Sequence, residues 1–162
     1  MTEQAPSNNN SAAQQPSLQI EKLYVKDGSL EVPGAPQVFT QPIQPEVEVQ
    51  INTSAMQISE GYFEVTVSAT VTARAAERTL FLVEVSQAGI FGVRNIPSDQ
   101  LEPLLGIACP QILFPYLREA ISDLVVRGGF PPVLLNPVSF EALYMQRTQQ
   151  QQAGGSRIEI AG

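Results

Sequence analysis

The stretch "CPQILFPYLREAISDLVVRGGFPP", residues 109–132, decides the fold, because it has the pattern of one long helix that is unusually rich in apolar residues. Its apolar side chains form a doubled i, i+4 ladder, wider than the single face that a helix usually buries against a small core. Gly128 and Gly129 predict the end of this helix, and Pro115 predicts a kink within it. The extra width raises the question of what the helix contacts besides a core. The ladder consists of Ile112, Leu113, Tyr116, Leu117, Ala120, Ile121, Leu124 and Val125.

Strand patterns precede this helix in the chain. In "IQPEVEVQI", residues 43–51, apolar residues occupy odd positions, and "FEVTVSATVTA", residues 63–73, repeats the alternation. Each segment predicts a strand with one apolar and one solvated face. Turn-forming residues in the segment 52–61 predict the hairpin connection between them. Because strands come before helices and no βαβ unit occurs, the order predicts an α+β fold with an antiparallel sheet.

Two further strands have less regular patterns. In "LQIEKLYVKD", residues 18–27, the apolar parity changes midway, which predicts a bulge or bend. In "TLFLVEV", residues 79–85, both parities are apolar up to Glu84, so Leu80 and Leu82 are predicted on the face that carries Glu84. That face is either covered by a loop or subunit or binds a partner, and the pattern alone favours coverage.

The ends of the other helices are predicted from capping residues. Ser98 is the predicted N-cap of a short helix, which Gly106 and Pro110 are expected to separate from the long one. Asn136 and Pro137 predict the N-cap and first position of a final helix.

Composition narrows the classes of function. The 162 residues, 43% of them hydrophobic, suit one domain with a sizeable core. Sixteen acidic against nine basic side chains give a formal charge of −7, which disfavours nucleic acid and anionic membranes and favours a basic partner. No run of 18 apolar residues occurs, so no membrane insertion is expected.

The absence of histidine removes much catalytic chemistry, including Ser-His-Asp and Cys-His catalysis and imidazole metal sites. Cys109 is the only cysteine and is expected to be a buried, unreactive thiol. Glu46 and Glu48 have the i, i+2 spacing that places two carboxylates on one solvated strand face rather than in a catalytic pair. No catalytic residue, metal or cofactor is therefore predicted.

The two ends of the chain differ in composition from its centre. Residues 1–17 are rich in Asn, Gln, Ser and Pro and are predicted to be a disordered tail. Residues 148–162 are predicted to be a flexible tail, which leaves residues 18–147 as the folded domain. The first residues lack the charged flank and apolar run of a signal peptide, so a cytoplasmic location is expected.

The segment "CPQILFPYLREAISDLVVRGGFPPVLLNPVSFEALY", residues 109–144, carries a resemblance to a known family. With "YVKDGSLEVPGAPQVF", residues 24–39, and "FLVEVSQAGIF", residues 81–91, it resembles the bacterial SecB family of protein-export chaperones over residues 18–150. The resemblance implies a four-stranded antiparallel sheet with the C-terminal helices on one face, assembled as a homotetramer that is a dimer of dimers. Long helices of different subunits would then pack together through Leu117, Ile121 and Leu124.

The same resemblance implies a function. Members of the family bind unfolded precursor proteins without using ATP, keep them competent for translocation and deliver them to the SecA motor. Client grooves are expected between the sheet and the segments that connect the helices, although each candidate is also compatible with an ordinary core position. The groove candidates are Phe39, Phe91, Phe114, Tyr116, Phe140, Leu143 and Tyr144.

The SecA contact implied by the resemblance lies on the acidic face of the sheet. The matching positions are Asp27, Glu31, Leu82 and Glu84. A short basic, zinc-bearing tail of the motor would dock there, so any metal belongs to the partner. Two other classes stay open at this point: a scaffold protein that uses the acidic face for another basic partner, and a carboxylate enzyme that uses Glu46, Glu48 or Glu64.

Overall fold

The fold is built on a four-stranded antiparallel sheet, which the computed structural model describes together with its helices over residues 15–159. The strand order β1-β4-β3-β2 leaves β1 and β2 at the two edges. A short 3-10 helix, Gln37–Thr40, lies in the crossover between the edge strands. The predicted α+β fold and antiparallel sheet are confirmed. The strands are β1 (Ser17–Glu31), β2 (Glu46–Ser59), β3 (Tyr62–Ala75) and β4 (Arg78–Arg94).

Alternation in β3 and β4 produces one buried and one open face. Val65, Val67 and Val71 of β3 are completely buried, and Val83 of β4 lies on the same side. The residues between them are more exposed and line the other side. The helices cover the first side, so the second side, called the open face below, is the side on which partners can approach the strands.

Bulges adjust the registers of β1 and β4. The pairing of β1 with β4 shifts between Ile20 and Lys22, which confirms the bend predicted midway along this segment. In β4, Arg74 pairs with Thr79 and Ala73 with Phe81, so Leu80 is an extra residue. Leu80 is therefore buried in the core, and its predicted place on the face of Leu82 and Glu84 is wrong.

The β2–β3 hairpin is longer than its turn-forming residues predicted. β2 runs through Ser59, and the turn contains Glu60 and Gly61, the latter with a φ of +79°. Pairing with β3 keeps the polar segment after Ile51 extended, because cross-strand contacts override a local turn preference. The hairpin prediction is confirmed, and its turn lies at the end of the predicted segment.

The predicted break between the first two helices is absent. Helix α1 (Ser98–Pro103) continues through a π-helical turn, Leu104–Ala108, into helix α2 (Cys109–Arg127). Pro110 occupies the first turn of α2 and has no N–H to donate to the preceding turn. The wider π-helical turn before it tolerates this missing hydrogen bond. Pro115 lies inside α2 without ending it. Ser98 is the first residue of α1 and makes no capping hydrogen bond with its side chain.

Helix α2 ends as predicted at the glycine pair. The Gly129 N–H donates to the Val126 oxygen at 3.0 Å, and the Phe130 N–H donates to the Val125 oxygen at 3.2 Å. These two bonds, with a φ of +89° at Gly129, form a Schellman motif. Phe39 from the crossover packs on Gly129, whose position leaves no room for a Cβ, because the nearest ring atom would lie at 2.9 Å.

The final helix, α3 (Phe140–Glu159), starts later than predicted. Its cap is Ser139, whose Oγ accepts the Ala142 N–H at 3.2 Å, and not Asn136, because the chain before Ser139 has no regular secondary structure and residues 133–138 lie beside β2. Helical backbone extends into residues 148–159, so the flexibility predicted for residues 148–162 stays a prediction. Residues 1–14 and 160–162 of the predicted tails lie outside the described residues, and Ser17 already belongs to β1.

Helix α2 is the main cover of the sheet. Its inner side inserts Leu113, Leu117, Ile121 and Val125 into the cluster formed by β3 and β4, and each of these side chains is completely buried. Within residues 15–159, no helix combines the length and apolar character needed to cross a membrane.

Candidate functional site

The open face carries a row of residues that crosses the whole sheet. Strand register places Glu31 opposite Leu82, Leu82 opposite Thr72, and Thr72 opposite Glu48. Glu31 and Glu48 are exposed, and Leu82 is half-buried between them. The row therefore presents an apolar side chain flanked by carboxylates at both edges.

Adjacent rows add more negative charge. Glu84 lies one row away from Leu82 on the same face, opposite Ser29, and Asp27 lies opposite Ser86 in the row after that. Both carboxylates are exposed. The four positions that the sequence assigned to a SecA contact, Asp27, Glu31, Leu82 and Glu84, thus share one face of two neighbouring strands.

The carboxylate of Glu64, on the same face, is bound by two neighbouring side chains. Lys26 Nζ lies 2.6 Å from its Oε1, and the Tyr24 hydroxyl donates to its Oε2. The Lys26 and Tyr24 hydrogen bonds lower the pKa of Glu64. Burial and the neighbouring carboxylate raise the pKa of Tyr24 to about 12. Because Lys26 is paired with Glu64, its positive charge does not neutralise Asp27, Glu31 and Glu84.

A second site lies on the helix side of the sheet, where β2 forms an edge. A groove of about 570 Å³ runs between β2 and the connection from α2 to α3. Its floor contains Val47 and Val49, which are 45% and 40% exposed, and its wall contains Leu134, which is 70% exposed. Apolar side chains that are this exposed on both sides of a groove are the features of a site for an apolar ligand.

Sequence reasoning missed these groove residues. It placed Val47, Val49 and Ile51 on the apolar face of a strand, and it expected grooves beside the segments that connect the helices without naming any residue of the connection "FPPVLLNPV", residues 130–138. The available signal was the apolar character of that connection, which is unusual for a loop on the surface. The exposed β2 face followed from the edge position of the strand, which the alternation pattern does not reveal.

A smaller groove of about 500 Å³ lies at the other end of β2. Ala55 and Phe63 of the sheet line it together with Leu105 and Tyr144 of the helical segments. Glu102 and Arg147 add one charge of each sign to the lining. The Tyr144 ring packs directly on Gly106, where an added Cβ would lie 2.7 Å from the ring. Tyr144 therefore lines this groove and holds α3 on the π turn, and its contact with a client stays a prediction.

The other predicted groove residues fall into two groups. Phe39 and Tyr116 are about half exposed, at 52% and 48%, and Leu143 is partly buried. Phe91, Phe114 and Phe140 are buried, and the last two meet edge to face at 5.6 Å between ring centroids. These three rings are core residues of the protomer, so client contact through them stays a prediction that requires the core to open.

The residues predicted for the subunit interface also divide into buried and partly exposed side chains. Leu117 and Ile121 are completely buried beneath the protomer's own sheet, whereas Leu124 is partly exposed and would lie 3.9 Å from a Cβ on Gly28. Val25 of β1, which is 54% exposed, also lies beside Gly28, and Ile20, farther along the same strand, is 49% exposed. A contact between subunits through Leu117 and Ile121 thus stays a prediction.

Three kinds of group could carry chemistry: metal-binding side chains, the Cys109 thiol and the strand carboxylates. Across residues 15–159, no group of three or more His, Cys, Asp or Glu side chains is placed to hold a metal ion. Burial raises the pKa of the Cys109 thiol to about 12, which leaves it protonated and a poor nucleophile near neutral pH. Glu46 and Glu48 lie on the open face at one end of β2, far along the paired strands from Glu64.

Known proteins share this sequence and fold. Residues 11–151 match the family model of SecB, preprotein translocase subunit SecB. The protein-export protein SecB of Chromobacterium violaceum is 59% identical over 143 residues, which cover 88% of this chain and 95% of that protein. The protein-export protein SecB of Dechloromonas aromatica is 54% identical over 147 residues, covering 91% of this chain and 97% of that protein.

One solved structure extends the comparison to the fold. The SecB-like chaperone of Mycobacterium tuberculosis, in complex with a ChAD peptide from the HigA1 antitoxin, is 18% identical to this chain with a TM-score of 0.63. The match covers 79% of this chain and 93% of that one, which shows a shared fold. From the family model and from relatives identical at more than half of the aligned positions, the chain belongs to the SecB family, whose members are chaperones of protein export.

Proposed function

We propose that this chain is a chaperone that binds unfolded precursor proteins in the groove between β2 and the α2–α3 connection. The observation that carries the proposal is the exposure of Val47, Val49 and Leu134 around one groove. An unfolded chain offers apolar side chains without a fixed shape, and such a groove fits that ligand better than a small molecule of defined shape.

The edge position of β2 supports binding of extended chains. β2 pairs with β3 on one side only, so its outer backbone groups are free for hydrogen bonds with a client strand. Backbone hydrogen bonds contribute affinity that does not depend on the client's sequence. Binding of this kind needs no nucleotide and no catalytic step, which agrees with a family of chaperones rather than enzymes. The SecB-like relative with a bound peptide supports binding of polypeptides by this fold.

The partner surface in this proposal is the open face. Asp27, Glu31 and Glu84 supply negative charge around the half-buried Leu82, which suits a short basic segment with an apolar residue. We assign this surface to SecA, the motor that receives clients from the family. The interaction belongs to the cytoplasm, because a precursor must be held there before it is translocated.

Assembly as a dimer of dimers is part of the same proposal. Val25 leaves exposed apolar surface beside Gly28 and Leu124, and Ile20 adds more near the other end of β1. Burial of that edge by a second copy would remove it from water. Light scattering at micromolar concentration should give the mass of four chains, and a monomer would contradict this assembly.

Holding activity is tested by the aggregation of several unrelated denatured proteins without nucleotide. The protein should suppress the aggregation of each client. Val49→Glu should strongly weaken this suppression, because an apolar client segment in the groove would have to bury the new charge. The matched control is Thr70→Glu, which places the same charge on the open face. A protein that protects none of the clients, or protects them equally well with Val49→Glu, lacks the proposed function at this groove.

A further inference from the structure

The connection from α2 to α3 forms one wall of the groove, yet its own backbone does little to hold it. Backbone hydrogen bonds anchor it at its ends, from the Phe130 N–H to Val125 and from the Leu143 N–H to Ser139. Within the part of the chain that the structure describes, residues 131–138 make no hydrogen bond between backbone groups. Three of these eight residues are proline and have no N–H to donate. Its position must therefore come from side chains.

Arg118 supplies the hydrogen bond that the connection otherwise lacks. Its Nε donates to the Leu135 carbonyl oxygen at 2.8 Å, in a partly buried setting. The guanidinium carbon lies 4.8 Å from the centre of the Phe114 ring, within the range of a cation–π contact. Phe114 in turn packs against Phe140 at the start of α3. The guanidinium is thus fixed from α2, and it holds the middle of the connection by a charge-assisted bond.

The hydrogen bond between Arg118 and Leu135 lies next to the groove wall and is not part of the wall's apolar surface. The Leu135 side chain is 5% exposed and belongs to the core, whereas the neighbouring Leu134 is 70% exposed and lines the groove together with Val47 and Val49. Fixing the carbonyl of Leu135 therefore fixes the direction of Leu134. A wall that is ordered before the client arrives avoids the entropy cost of ordering it on binding.

We propose that Arg118 is a positioning residue for client binding: it acts through the Leu135 carbonyl to hold Leu134 over β2. The inference rests on the proposed chaperone function of the groove. Nothing in the arrangement requires Arg118 to contact the client. Loss of this bond should loosen the connection and increase the rate of client release, with smaller changes in the stability of the sheet and α2.

The test uses reduced and carboxymethylated α-lactalbumin, which stays unfolded, as the client. Arg118→Met keeps the length of the side chain and removes the donor, and we expect about tenfold weaker binding, mostly through faster release, as for the loss of a charged hydrogen bond. Chymotrypsin cleavage after Leu134 and Leu135 should become faster, because a loosened connection fits the protease more readily. The matched control is Arg127→Met, because Arg127 lies on the same helix and pairs with Asp123 at the exposed end. It should bind the client as the wild type does.

A double-mutant cycle separates positioning from general stability. Leu134→Ser removes the wall residue, and if Arg118 acts through it, Arg118→Met should weaken binding much less in that background than in the wild type. Equal effects in both backgrounds, or wild-type affinity of Arg118→Met, would overturn the inference. Should Arg118→Met fail to fold, Arg118→Leu decides, because it also lacks a donor: unchanged cleavage and release overturns the role, and faster cleavage with faster release supports it. A wild-type protein that binds no client refutes the proposed function itself, whereas the cleavage measurement still reports on Arg118.

Discussion

Glu64 shows how a single side chain shapes the open face. It accepts hydrogen bonds from Lys26 and Tyr24 of β1 although β4 lies between their strands. Glu64 lies opposite Ile90 of β4, and Tyr24 lies opposite Ala88, whose small side chain leaves room for the bridge. The ion pair with Glu64 neutralises the charge of Lys26. Asp27, Glu31 and Glu84 therefore keep the open face acidic.

The pH dependence of stability should reveal this bridge. The pKa of Glu64 is lowered from 4.5 in the folded protein, mainly by Lys26, so its contribution is present above the unfolded pKa and is lost as pH falls through the folded pKa. Glu64→Gln should therefore reduce the loss of stability below about pH 4.5, measured as urea midpoints against pH. Glu60→Gln, in the exposed turn, is the control. Parallel curves for wild type and Glu64→Gln would contradict the bridge.

Cys109 gives a second prediction at this scale. The thiol is fully buried under the sheet, and burial raises its pKa to about 12. Iodoacetamide at slightly alkaline pH should leave Cys109 unmodified in the folded protein and label it after unfolding in urea, because the reagent requires an accessible thiolate. Mass spectrometry gives the extent of labelling. Rapid modification of the native protein would show that this end of α2 opens.

At the scale of elements, the C-terminal end of α2 joins three segments. The Schellman motif at Gly129 turns the chain, Phe130 packs on Phe81 at 4.8 Å, and Phe39 of the crossover packs on Phe130 at 5.4 Å. Both connections that border the helix side of the sheet therefore meet at the end of one helix. A change in this cap should alter the crossover and the groove wall together.

Gly129→Ala tests the cap. Alanine is strained at a φ of +89°, and its Cβ would lie 2.9 Å from the Phe39 ring, so we expect a loss of about 1–3 kcal/mol in the free energy of unfolding. Gly34→Ala is the control, because the nearest side-chain atom to its added Cβ lies at an ordinary 3.5 Å. Urea titration measures both variants. An unchanged midpoint for Gly129→Ala would mean that the end of α2 does not have this conformation.

The sequence predicted elements better than it predicted their ends and their exposed faces. Alternation in β3 and the glycine pair after α2 are local signals, and both predictions are confirmed. The cap at Ser139 was missed because Asn136 and Pro137 have the same local preference, and only packing of the connection selects between them. Burial of Leu117 and exposure of Val49 depend on which strand is at the edge, and residue spacing does not encode strand order.

At the scale of the whole molecule, the sheet separates two surfaces. The acidic rows lie on the open face, and both grooves beside β2 involve the helix side. A client in a groove and a basic segment on the open face would not compete for the same side chains. If the open face binds SecA as proposed, this separation would allow a client to remain bound while the motor docks.

Charge reversal tests the separation. Glu31→Lys with Glu84→Lys should slow SecA association and reduce its dependence on salt, because the attractive field of the open face is lost. Leu82→Arg should instead speed dissociation by removing a central apolar contact. Association and dissociation rates at low and high salt distinguish these effects.

The control for charge reversal is Glu21→Lys with Glu60→Lys, which makes the same change at the opposite end of the sheet. Aggregation of clients should be suppressed as well by each of these variants as by the wild type. Equal loss of client holding and motor binding in the Glu31 and Glu84 double variant would show that the open face is structural. Normal motor binding by that variant would place the contact elsewhere.

The central claim is that unfolded clients bind in the groove between β2 and the α2–α3 connection, and site-specific photocrosslinking tests it most directly. A photoreactive amino acid replaces Val49 or Leu134 in the groove and, for comparison, Thr70 on the open face. With an unfolded precursor and no nucleotide, the account predicts strong crosslinks from positions 49 and 134, few from position 70, and loss of all of them once the precursor has folded. Crosslinks mainly from position 70, or crosslinks from 49 and 134 that persist with the folded precursor, would contradict it.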